Sequence, residues 1–406
     1  MSSDTPLSYW QQARPAQVGP AGPLPERVEL AVVGGGLLGC ACAYWLARAG
    51  HAPLLLERDF LAAGATGRNG GLMVAGTAED YPGAVARLGH TTARQIWALT
   101  EQGLALLHQT LIDEAIDCDY RPTGHLQLAL DHEQQRRQER TAALLRAGGF
   151  GVELLDRAAA QALIDTPLGP QIVGGLMLPG GRLHSGRLVW GLAGAARRHG
   201  AQIREGVACL EIAQDGSGVR IVTASGSLWA RMVVVATNAW LGALLPPLAA
   251  VVTPVRGQAL AYAPVRPVFS TGASAALTPT GEYWQQTPDG AIVIGGCRAQ
   301  ATGRDVGVTG ATPSPEVQQA IERVLPELFP ELALPPVARR WAGLMAFTPD
   351  YSPIAGRLPG QPSVWAVGGF SGHGMPFGLI LGRILAEAIG GRATPSELHP
   401  FRIERC

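Results

Sequence analysis

Residues 30–57 read LAVVGGGLLGCACAYWLARAGHAPLLLE, and they decide the fold. The first four residues form an apolar run of the kind found in a buried parallel strand. Gly34, Gly36 and Gly39 follow: the first permits a tight turn, the second lets a pyrophosphate approach the backbone, and the third lets a helix pack on the strand. A second apolar run ends in Glu57, about 20 residues beyond the glycines, where a carboxylate accepts hydrogen bonds from a ribose diol.

This arrangement predicts a β-α-β unit that binds an adenine dinucleotide. The amide groups at the start of the helix, near Gly36 to Leu38, would face the phosphates. A glycine-rich turn in another α/β protein is the alternative, and a lone glycine fingerprint would not decide between the two. The flanking strand-like runs and Glu57 favour the dinucleotide site. The pattern does not separate NAD from FAD.

Composition and charge exclude several classes of function. The chain has 406 residues, of which 47% are hydrophobic and 16% charged, so a globular fold with two domains is expected. The net charge is zero and there is no basic tract, which argues against nucleic acid or an anionic membrane surface as a partner. No run approaches the ~20 apolar residues that cross a bilayer, and residues 1–15 lack the pattern of a signal peptide.

The residue types that could perform chemistry are limited. All 32 cationic side chains are arginine, so no lysine can act as a base, a Schiff-base former or an oxygen-activating group. The cysteines are scattered without a C-x-x-C spacing, which predicts reduced thiols in the cytoplasm and neither a disulfide frame nor a metal site. They are Cys40, Cys42, Cys118, Cys209, Cys297 and Cys406.

A second candidate ligand loop follows Glu57. Residues 64–72, GATGRNGGL, combine four glycines with Thr66, Arg68 and Asn69. A flexible backbone rich in donors suits a phosphate or a flavin ring. A surface turn is the alternative, but a turn does not need arginine and asparagine between glycines. We therefore expect this loop at the ligand site.

Apolar periodicity predicts further helices and strands along the chain. Thr237 and Asn238 follow an apolar run, at the strand end where open α/β sheets bind ligands. A last strand leads through GGFSGHGMPFG into a helix whose N-terminus carries partial positive charge. Helices are predicted over 83–115, 131–147, 185–199 (with Ser185 as the cap), 314–324 and 376–389, strands over 123–130, 202–204, 207–213, 219–224, 341–347 and 364–367, and antiparallel β structure over 251–300.

Several segments together resemble one protein family. They are the Tyr9-Trp10 arm, the fingerprint with Glu57, GRNGG (67–71), VVVATNAW (233–240), PVRGQ (254–258), WAGLMAFTPDYSPIAG (341–356) and GGFSGHG (368–374). Over essentially its full length the chain resembles the D-amino-acid oxidase-like (DAO) superfamily of FAD-dependent amine oxidoreductases, such as sarcosine oxidase, glycine oxidase and γ-glutamylputrescine oxidase. The combination is specific to the superfamily and not to one substrate.

For the fold, the resemblance implies an α/β protein in which a Rossmann-like FAD-binding domain is interleaved with an antiparallel β-sheet substrate domain. The FAD-binding domain would comprise residues 1–80, 170–245 and 340–406, and the substrate-binding domain residues 81–169 and 246–339. The reaction would be oxidation of the C–N bond of an amine or amino-acid derivative to an imine. The flavin would be reoxidised by O2, giving H2O2, or by another acceptor.

The resemblance also implies which residues form the site. A noncovalently bound FAD would contact Gly34, Gly36, Leu37, Leu38, Gly39, Glu57, Arg58, Thr66, Arg68, Asn69, Gly70, Gly71, Leu72, Val207, Thr237, Asn238, Gly343, Gly369, Gly372, His373, Gly374 and Met375. The catalytic candidates are His373, Tyr283 and Met345. Tyr283 and Trp284 are either core aromatics of a β-sheet or, since successive side chains of a strand point to opposite faces, one of them lines the substrate cavity.

Two departures from the family's pattern bear on the substrate. Amino-acid oxidases of this type carry a carboxylate-binding arginine two residues after the glycine of their WxG segment, where this chain has Met345. Relatives often carry another arginine where Gln285 stands. Because neither side chain binds a carboxylate bidentately, free glycine and D-alanine should be poor substrates. Arg256 and Arg298 are then the remaining candidate anchors, unless they form surface ion pairs; His184 is expected to be structural.

A third departure is the missing lysine, which sarcosine-oxidase-like members place by the flavin to activate O2. The positive charge would then come from an arginine, from protonated His373 or from the substrate. Two other functions stay open: a FAD-dependent dehydrogenase of a hydroxy acid or polyol, and the flavoprotein subunit of a larger oxidase. The expected partners are a small-molecule amine and an electron acceptor, and the expected form is a monomer or small homo-oligomer in the cytoplasm.

The first prediction concerns the cofactor. The purified protein should be yellow, and acid or heat should release FAD into the supernatant, because no cysteine falls inside WAGLMAFTPD to link the flavin. The measurement is the absorbance spectrum and chromatography of the supernatant after precipitation. Colour that stays with the precipitate would refute noncovalent attachment, and a colourless protein that binds NAD would refute the cofactor assignment.

Overall fold

The computed structural model describes residues 6–16, 23–391 and 395–405. The helices in these ranges are α1 (Leu37–Arg48), α2 (Tyr81–Asp113), α3 (His132–Ala147), α4 (Arg157–Gln161), α5 (Ser185–Arg198), α6 (Leu241–Leu244), α7 (Pro315–Leu328) and α8 (Met375–Ile389). The strands are β1 (Arg27–Val33), β2 (Leu54–Leu56), β3 (Leu72–Val74), β4 (His125–Ala129), β5 (Glu153–Asp156), β6 (Gly174–Leu178), β7 (Gly180–Arg182), β8 (Gln202–Arg204), β9 (Cys209–Asp215), β10 (Gly218–Thr223), β11 (Gly226–Val235), β12 (Thr253–Tyr262), β13 (Gly272–Ala275), β14 (Glu282–Gln286), β15 (Ile292–Gly296), β16 (Val337–Phe347), β17 (Ile354–Leu358) and β18 (Gln361–Gly368). In the same ranges they form two eight-stranded sheets and a ribbon of β3 and β7.

The first sheet is built around the glycine fingerprint. Its main strand order is β17-β18-β11-β1-β2-β8, and β1 pairs in parallel with both β2 and β11. The last four residues of β1 are buried, as expected for a strand covered on both faces. Helix α1 packs against α5 and α8 on one face of this sheet. The predicted β-α-β unit is therefore confirmed.

Packing alone requires two of the three fingerprint glycines. Gly34 has a φ of 114°, in the region that favours glycine, and a Cβ there would come within 2.7 Å of the Ala236 carbonyl oxygen. A Cβ on Gly39 would lie 1.9 Å from the Gly34 carbonyl oxygen, so any side chain would push α1 away from β1. These contacts fix the start of α1 at the carboxyl edge of the sheet.

The second sheet has the order β16-β12-β15-β14-β13-β4-β6-β5. Its neighbouring strands are antiparallel, except that β13 and β4 run parallel. On one face Trp284 packs against Phe269 and Phe329, with ring centroids 6.0 Å and 5.9 Å away, and α7 covers this core. Side chains of the opposite parity, among them Tyr283, point to the other face, where they line a cavity shared with the carboxyl edge of the first sheet.

An N-terminal arm joins the two sheets. Its 3₁₀ turn, Tyr9–Gln11, buries Trp10 in a cluster with Trp341 and Val293 of the second sheet. The Tyr9 hydroxyl donates a hydrogen bond to Asp289 Oδ1 at 2.7 Å. Tyr9 and Trp10 therefore anchor the arm. Residues 1–27 are rich in proline and glycine, as is typical of such an arm, and residues 1–5 and 17–22 of it lie outside the described part of the chain.

Two expectations from the sequence differ from the structure. Ser185 does not cap α5 because it is already helical; the cap is His184, whose Nδ1 accepts a hydrogen bond from the Arg187 backbone N–H at 3.1 Å. His184 also packs on Trp10, with ring centroids 5.1 Å apart, so it is structural as expected. Strands β6 and β16 pair with β4 and β12 in the second sheet, although residues 170–178 and 340–347 were expected in the FAD-binding domain. The rest of the domain division stays a prediction.

Candidate active site

A cavity of about 810 Å³ lies between the two sheets. Gly39, Gly71 and Gly369 do not line it, since each occupies a packing or turn position behind the lining. The other residues predicted for the site all line it: Gly34, Gly36, Leu37, Leu38, Glu57, Arg58, Thr66, Arg68, Asn69, Gly70, Leu72, Val207, Thr237, Asn238, Tyr283, Gly343, Met345, Gly372, His373, Gly374 and Met375.

Gly36 differs from the other glycines of the fingerprint because packing does not require it. It is the N-cap residue of α1 and has a φ of −83°, which any residue can adopt. A Cβ there would meet, among the described residues, the Thr66 hydroxyl oxygen at 3.3 Å and nothing closer. The missing side chain therefore leaves space in the cavity beside the start of α1, where the Leu37 N–H donates to Thr66 Oγ1 at 3.1 Å. That space suits a phosphate at the positive end of the helix.

Glu57 is held at the edge of this space. The Gly35 N–H donates to Oε2 at 2.7 Å, and the Asp59 N–H donates to Oε1 at 2.9 Å. Burial raises the pKa of the carboxyl group, and the two backbone donors partly offset that rise. Each oxygen of the carboxylate retains acceptor capacity for a ribose hydroxyl.

The loop of residues 62–71 is held from behind by side-chain donors. Each donor binds a backbone carbonyl oxygen of the loop. The pairs are Gln11 Nε2 with Ala62 (2.9 Å) and Ala63 (3.0 Å), Ser8 Oγ with Gly67, Trp341 Nε1 with Arg68 (2.8 Å), Trp10 Nε1 with Asn69 (2.6 Å), and Gln285 Nε2 with Gly70 (2.7 Å) and Gly71 (2.7 Å). The carbonyl groups of the loop are thus drawn away from the cavity.

The same hydrogen bonds turn loop amides towards the cavity. In a trans peptide the C=O and the following N–H point in opposite directions. Since the Arg68 and Asn69 carbonyls point away, the N–H groups of Asn69 and Gly70 point towards the cavity that both residues line. Neither N–H has a hydrogen-bond partner within residues 6–16, 23–391 and 395–405. Adjacent unpaired donors of this kind fit a phosphate or the polar edge of a flavin.

Two further features complete a dinucleotide site. Thr237 Oγ1 is buried in the cavity wall without a partner among the described residues. Arg58 lies over the ring of Trp240, 4.6 Å from its centroid, and both line the same end of the cavity as Val207. A cation stacked on an aromatic ring suits a heteroaromatic base. Trp240 was not predicted from the sequence, although its place just after Asn238 in VVVATNAW was the available signal.

Tyr283 lines the cavity, and Trp284 lies in the core on the other face of β14. The Tyr283 ring is packed between Gly70 and Gly295. A Cβ added to Gly70 would lie 2.6 Å from the ring, and a Cβ added to Gly295 would lie 2.5 Å from the Tyr283 hydroxyl oxygen. Burial raises the pKa of Tyr283 to about 12, so the phenol is neutral at pH 7.

Met345 forms the neighbouring part of the wall. Its side chain runs between Gly257 and Gly372, where an added Cβ would come within 3.0 Å of Cε and 3.1 Å of Sδ respectively. At the position where related amino-acid oxidases carry an arginine, the described wall is therefore apolar.

Two histidines line the substrate side of the cavity. His125 Nε2 lies 2.8 Å from Ser274 Oγ. Burial, and then the neighbouring His373, lower the pKa of His125 to about 3. Burial also lowers the pKa of His373, so both imidazoles are neutral at pH 7 and His373 does not supply the positive charge considered for O2. His125 was not predicted as a site residue. The available signal was the alternation in TGHLQLAL, which places His125 on the face of the strand away from Leu126 and Leu128.

The side chains considered for carboxylate binding lie elsewhere. Arg256 forms a bidentate ion pair with Asp305, with both N–O distances at 2.8 Å. Arg298 stacks on Phe347, 5.3 Å from the ring centroid. Gln285 binds the loop of residues 62–71 from behind. None of the three lines the described cavity.

The comparisons with known proteins agree with this site. A family model described as DAO, FAD dependent oxidoreductase, matches residues 29–388. The chain belongs to this family. It is 30% identical over 378 residues to γ-glutamylputrescine oxidoreductase of Escherichia coli (strain K12). The aligned region covers 90% of this chain and 84% of that protein. It is 25% identical over 385 residues to glycine oxidase of Geobacillus kaustophilus (strain HTA426), and the aligned region covers 94% of this chain and 97% of that protein.

Solved structures show the same fold. The crystal structure of glycine oxidase from Geobacillus kaustophilus matches with a TM-score of 0.80 at 23% identity, over 94% of this chain and 100% of that chain. The crystal structure of L-proline dehydrogenase from P. horikoshii matches with a TM-score of 0.78 at 24% identity, over 94% of this chain and 99% of that chain. The predicted fold class is confirmed.

The cofactor of this FAD-dependent oxidoreductase is FAD, and the residues present fit it: Gly36, Glu57, Thr237 and the Asn69 and Gly70 amides. Across the described residues, no helix combines the length and apolar character needed to span a membrane. The same residues contain no group of three or more His, Cys, Asp or Glu side chains that could hold a metal ion.

Matched valine substitutions should separate cofactor binding from folding. Gly36→Val should fold with an apoprotein Tm near that of wild type but retain little FAD, since the side chain would fill the space beside the α1 amides. Gly39→Val should lower the apoprotein Tm or prevent folding, because its Cβ overlaps the Gly34 carbonyl oxygen. The measurements are the FAD-to-protein ratio and thermal unfolding of the apoprotein. Equal FAD retention in Gly36→Val and wild type would contradict the placement of the pyrophosphate.

Proposed function

We propose that this protein oxidises the C–N bond of an amine or amino-acid derivative to an imine. The observation that carries this proposal is one cavity in which an FAD cradle adjoins a wall of neutral side chains, namely Tyr283, Met345, His125 and His373. The relatives named for γ-glutamylputrescine and for glycine support it.

Bound FAD supplies a hydride acceptor. The protein contributes position and environment. Hydride leaves from the neutral form of the amine, because the lone pair on nitrogen can assist its loss from the adjacent carbon. Tyr283 and Met345 limit where that carbon lies. The start of α8, at Gly374 and Met375, presents the positive end of its dipole to the cavity, which stabilises negative charge on the cofactor side.

The arginines of the cavity indicate a substrate without a carboxylate on the reacting carbon. Arg68 is buried, and its guanidinium donates to backbone carbonyls, including that of Ala342 at 2.9 Å. Arg137 lies at the outer end, on α3, with a side chain 60% exposed and ion-paired with Glu133. Arg58, the third arginine of the described lining, stacks on Trp240 at the cofactor end. None of the three takes the place that Met345 occupies in the wall. The proposed substrate is therefore an amine, or an amino acid whose carboxylate is remote from the carbon that is oxidised.

The remaining assignments are also proposals. The electron acceptor is O2 or another acceptor, and the protein acts as a monomer or small homo-oligomer in the cytoplasm. With His373 neutral, the buried Arg68 is the fixed positive charge in the wall that supports O2 reduction. Burial lowers its pKa to about 10, so it stays charged at pH 7.

Anaerobic reduction tests the proposed function. Mixing the FAD-loaded protein with a panel of primary and secondary amines, hydroxy acids and polyols should bleach the flavin with members of the amine group alone. Bleaching by hydroxy acids or polyols, with no response to any amine, would contradict the proposal in favour of the dehydrogenase alternative. No response to any small molecule, with a second chain co-purifying, would indicate a flavoprotein subunit.

The Met345→Arg variant should create the missing carboxylate contact, because Gly257 and Gly372 leave space on both sides of the side chain. Glycine should be a poorer substrate than methylamine for wild type. In the variant the ratio of kcat/KM for glycine to that for methylamine should rise ~10-fold or more, since a desolvated charged contact contributes ~2–5 kcal/mol. Met345→Leu, which adds no charge, should leave the ratio unchanged. Efficient turnover of glycine by wild type would refute the assignment.

A further inference from the structure

The turn between β18 and α8 places His373 in the cavity. Gly369, Ser371 and Gly372 in this turn have φ values of 71°, 51° and 89°. The Ser371 N–H donates to the Ala346 carbonyl oxygen at 2.7 Å, which ties the turn to β16. The backbone therefore sets the position of the His373 ring directly before α8.

One hydrogen bond fixes the tautomer of His373. Its Nε2 lies 2.8 Å from the carbonyl oxygen of Val74, in β3. A carbonyl oxygen can only accept, so Nε2 carries the hydrogen, and Nδ1 of the neutral ring carries a lone pair. Nδ1 has no partner among the described residues and, unlike His125 Nδ1, is not buried. Since His373 lines the cavity, this lone pair opens into it.

We propose that Nδ1 of His373 is the acceptor that binds the substrate's amino group, through one of its N–H bonds. The assignment rests on the proposed function and deepens it, because it names the group that recognises the nitrogen. A ring nitrogen with a lone pair attracts N–H donors and repels a carboxylate, which selects an amine. The hydrogen bond to Val74 and the turn hold the ring, so the bound nitrogen is fixed beside Met345, whose Sδ packs on Gly372.

The other ionisable groups near His373 must be considered in any test by pH. Strand β3, which supplies Val74, carries no titratable side chain, and on α2, which packs on α8, Glu101 accepts a hydrogen bond from Trp97 Nε1 at 3.0 Å. The titratable and charged side chains that share the substrate half of the cavity are Glu79, Asp80, Tyr81, His125, Arg137, Glu282 and Tyr283.

Among these groups Glu282 is the one whose titration could be mistaken for that of His373. Burial raises the pKa of its carboxyl group and lowers the pKa of His373, so the two pKa values are shifted towards each other. Glu282 lies on the core face of β14, where Thr278 Oγ1 donates to it at 2.5 Å. A His373 variant must therefore be compared with wild type across pH.

Protonation of Nδ1 would abolish the acceptor and set a cation against the amine. Amine binding should therefore be constant at neutral pH and weaken as the pH falls through the His373 pKa, which lies below its ordinary ~6.5. Below that pKa, Kd should rise ~10-fold per pH unit, because each bound proton competes with one amine.

tert-Butylamine tests this without turnover, since its nitrogen-bearing carbon has no hydrogen to lose. Its Kd for the FAD-loaded protein is measured from the change in flavin absorbance between about pH 4.5 and 8.5, a range in which an alkylamine stays protonated. Pivalate, with a carboxylate in place of the ammonium group, is the matched probe, and its affinity should not fall in acid. His373→Leu should raise the tert-butylamine Kd ~10-fold or more at the alkaline end.

His373→Gln keeps an acceptor that does not titrate, so it should bind tert-butylamine with intermediate affinity and no pH dependence. If His373→Leu loses FAD, the pH dependence of tert-butylamine binding to His373→Gln still tests the assignment. His108→Gln, the same change at an exposed histidine of α2, should match wild type. A pH dependence that persists in His373→Gln, unchanged affinity in His373→Leu, or no binding to wild type would each overturn the assignment. Bleaching by the amine panel shows separately whether the proposed function stands.

Discussion

Seven backbone carbonyl groups of residues 62–71 are bound by side-chain donors, and the geometry of the site depends on this constraint. The donors come from the N-terminal arm and from β14 and β16 of the second sheet, so the loop is fixed only when the arm and the second sheet are assembled. Removing one donor would leave a buried carbonyl unpaired, at a cost of ~1–3 kcal/mol. Because the carbonyls are held, the Asn69 and Gly70 amides are aligned before any cofactor binds, and binding need not reorganise them.

Charge is distributed unequally along the cavity. The cofactor side combines helix N-termini, loop amides and the buried Arg68, all of which favour negative charge. The substrate side presents two imidazoles that are neutral at pH 7, a neutral phenol and Met345. This division suits a reaction in which a neutral amine gives up electrons and negative charge develops on the cofactor. Under the proposed function, a free amino-acid carboxylate would find no arginine at the Met345 position of this wall.

The features that the sequence predicted are those set by contacts close along the chain. The glycine fingerprint, its flanking strands and Glu57 lie within 28 residues of each other, and the β-α-β unit formed as expected. Alternation on β14 puts Tyr283 and Trp284 on opposite faces, and the structure places Tyr283 on the cavity side. The contacts made between distant segments could not be read in this way. Gln285 was interpreted as a substituted arginine of the substrate site, yet its side chain binds Gly70 and Gly71, more than 200 residues earlier.

Other features depend on how distant strands and loops meet. His125 enters the cavity because β4 pairs with β13 in parallel, a pairing that no local pattern indicates. Trp240 lines the cofactor end, where Arg58, from the segment after β2, stacks on it. The acceptor role that we propose for His373 depends on the Val74 carbonyl in β3, which is 299 residues away along the chain. Periodicity predicts which side chains share a face of a strand, but it does not predict which distant segment packs against that face.

A crystal structure of the FAD-loaded protein would test the central claim most directly. The account predicts that the Asn69 and Gly70 amide nitrogens lie within about 3.2 Å of acceptor atoms of FAD. The side chains of Trp10, Gln285 and Trp341 should still bind the loop carbonyls. A loop in which those hydrogen bonds are broken and the carbonyls face the cofactor would contradict it.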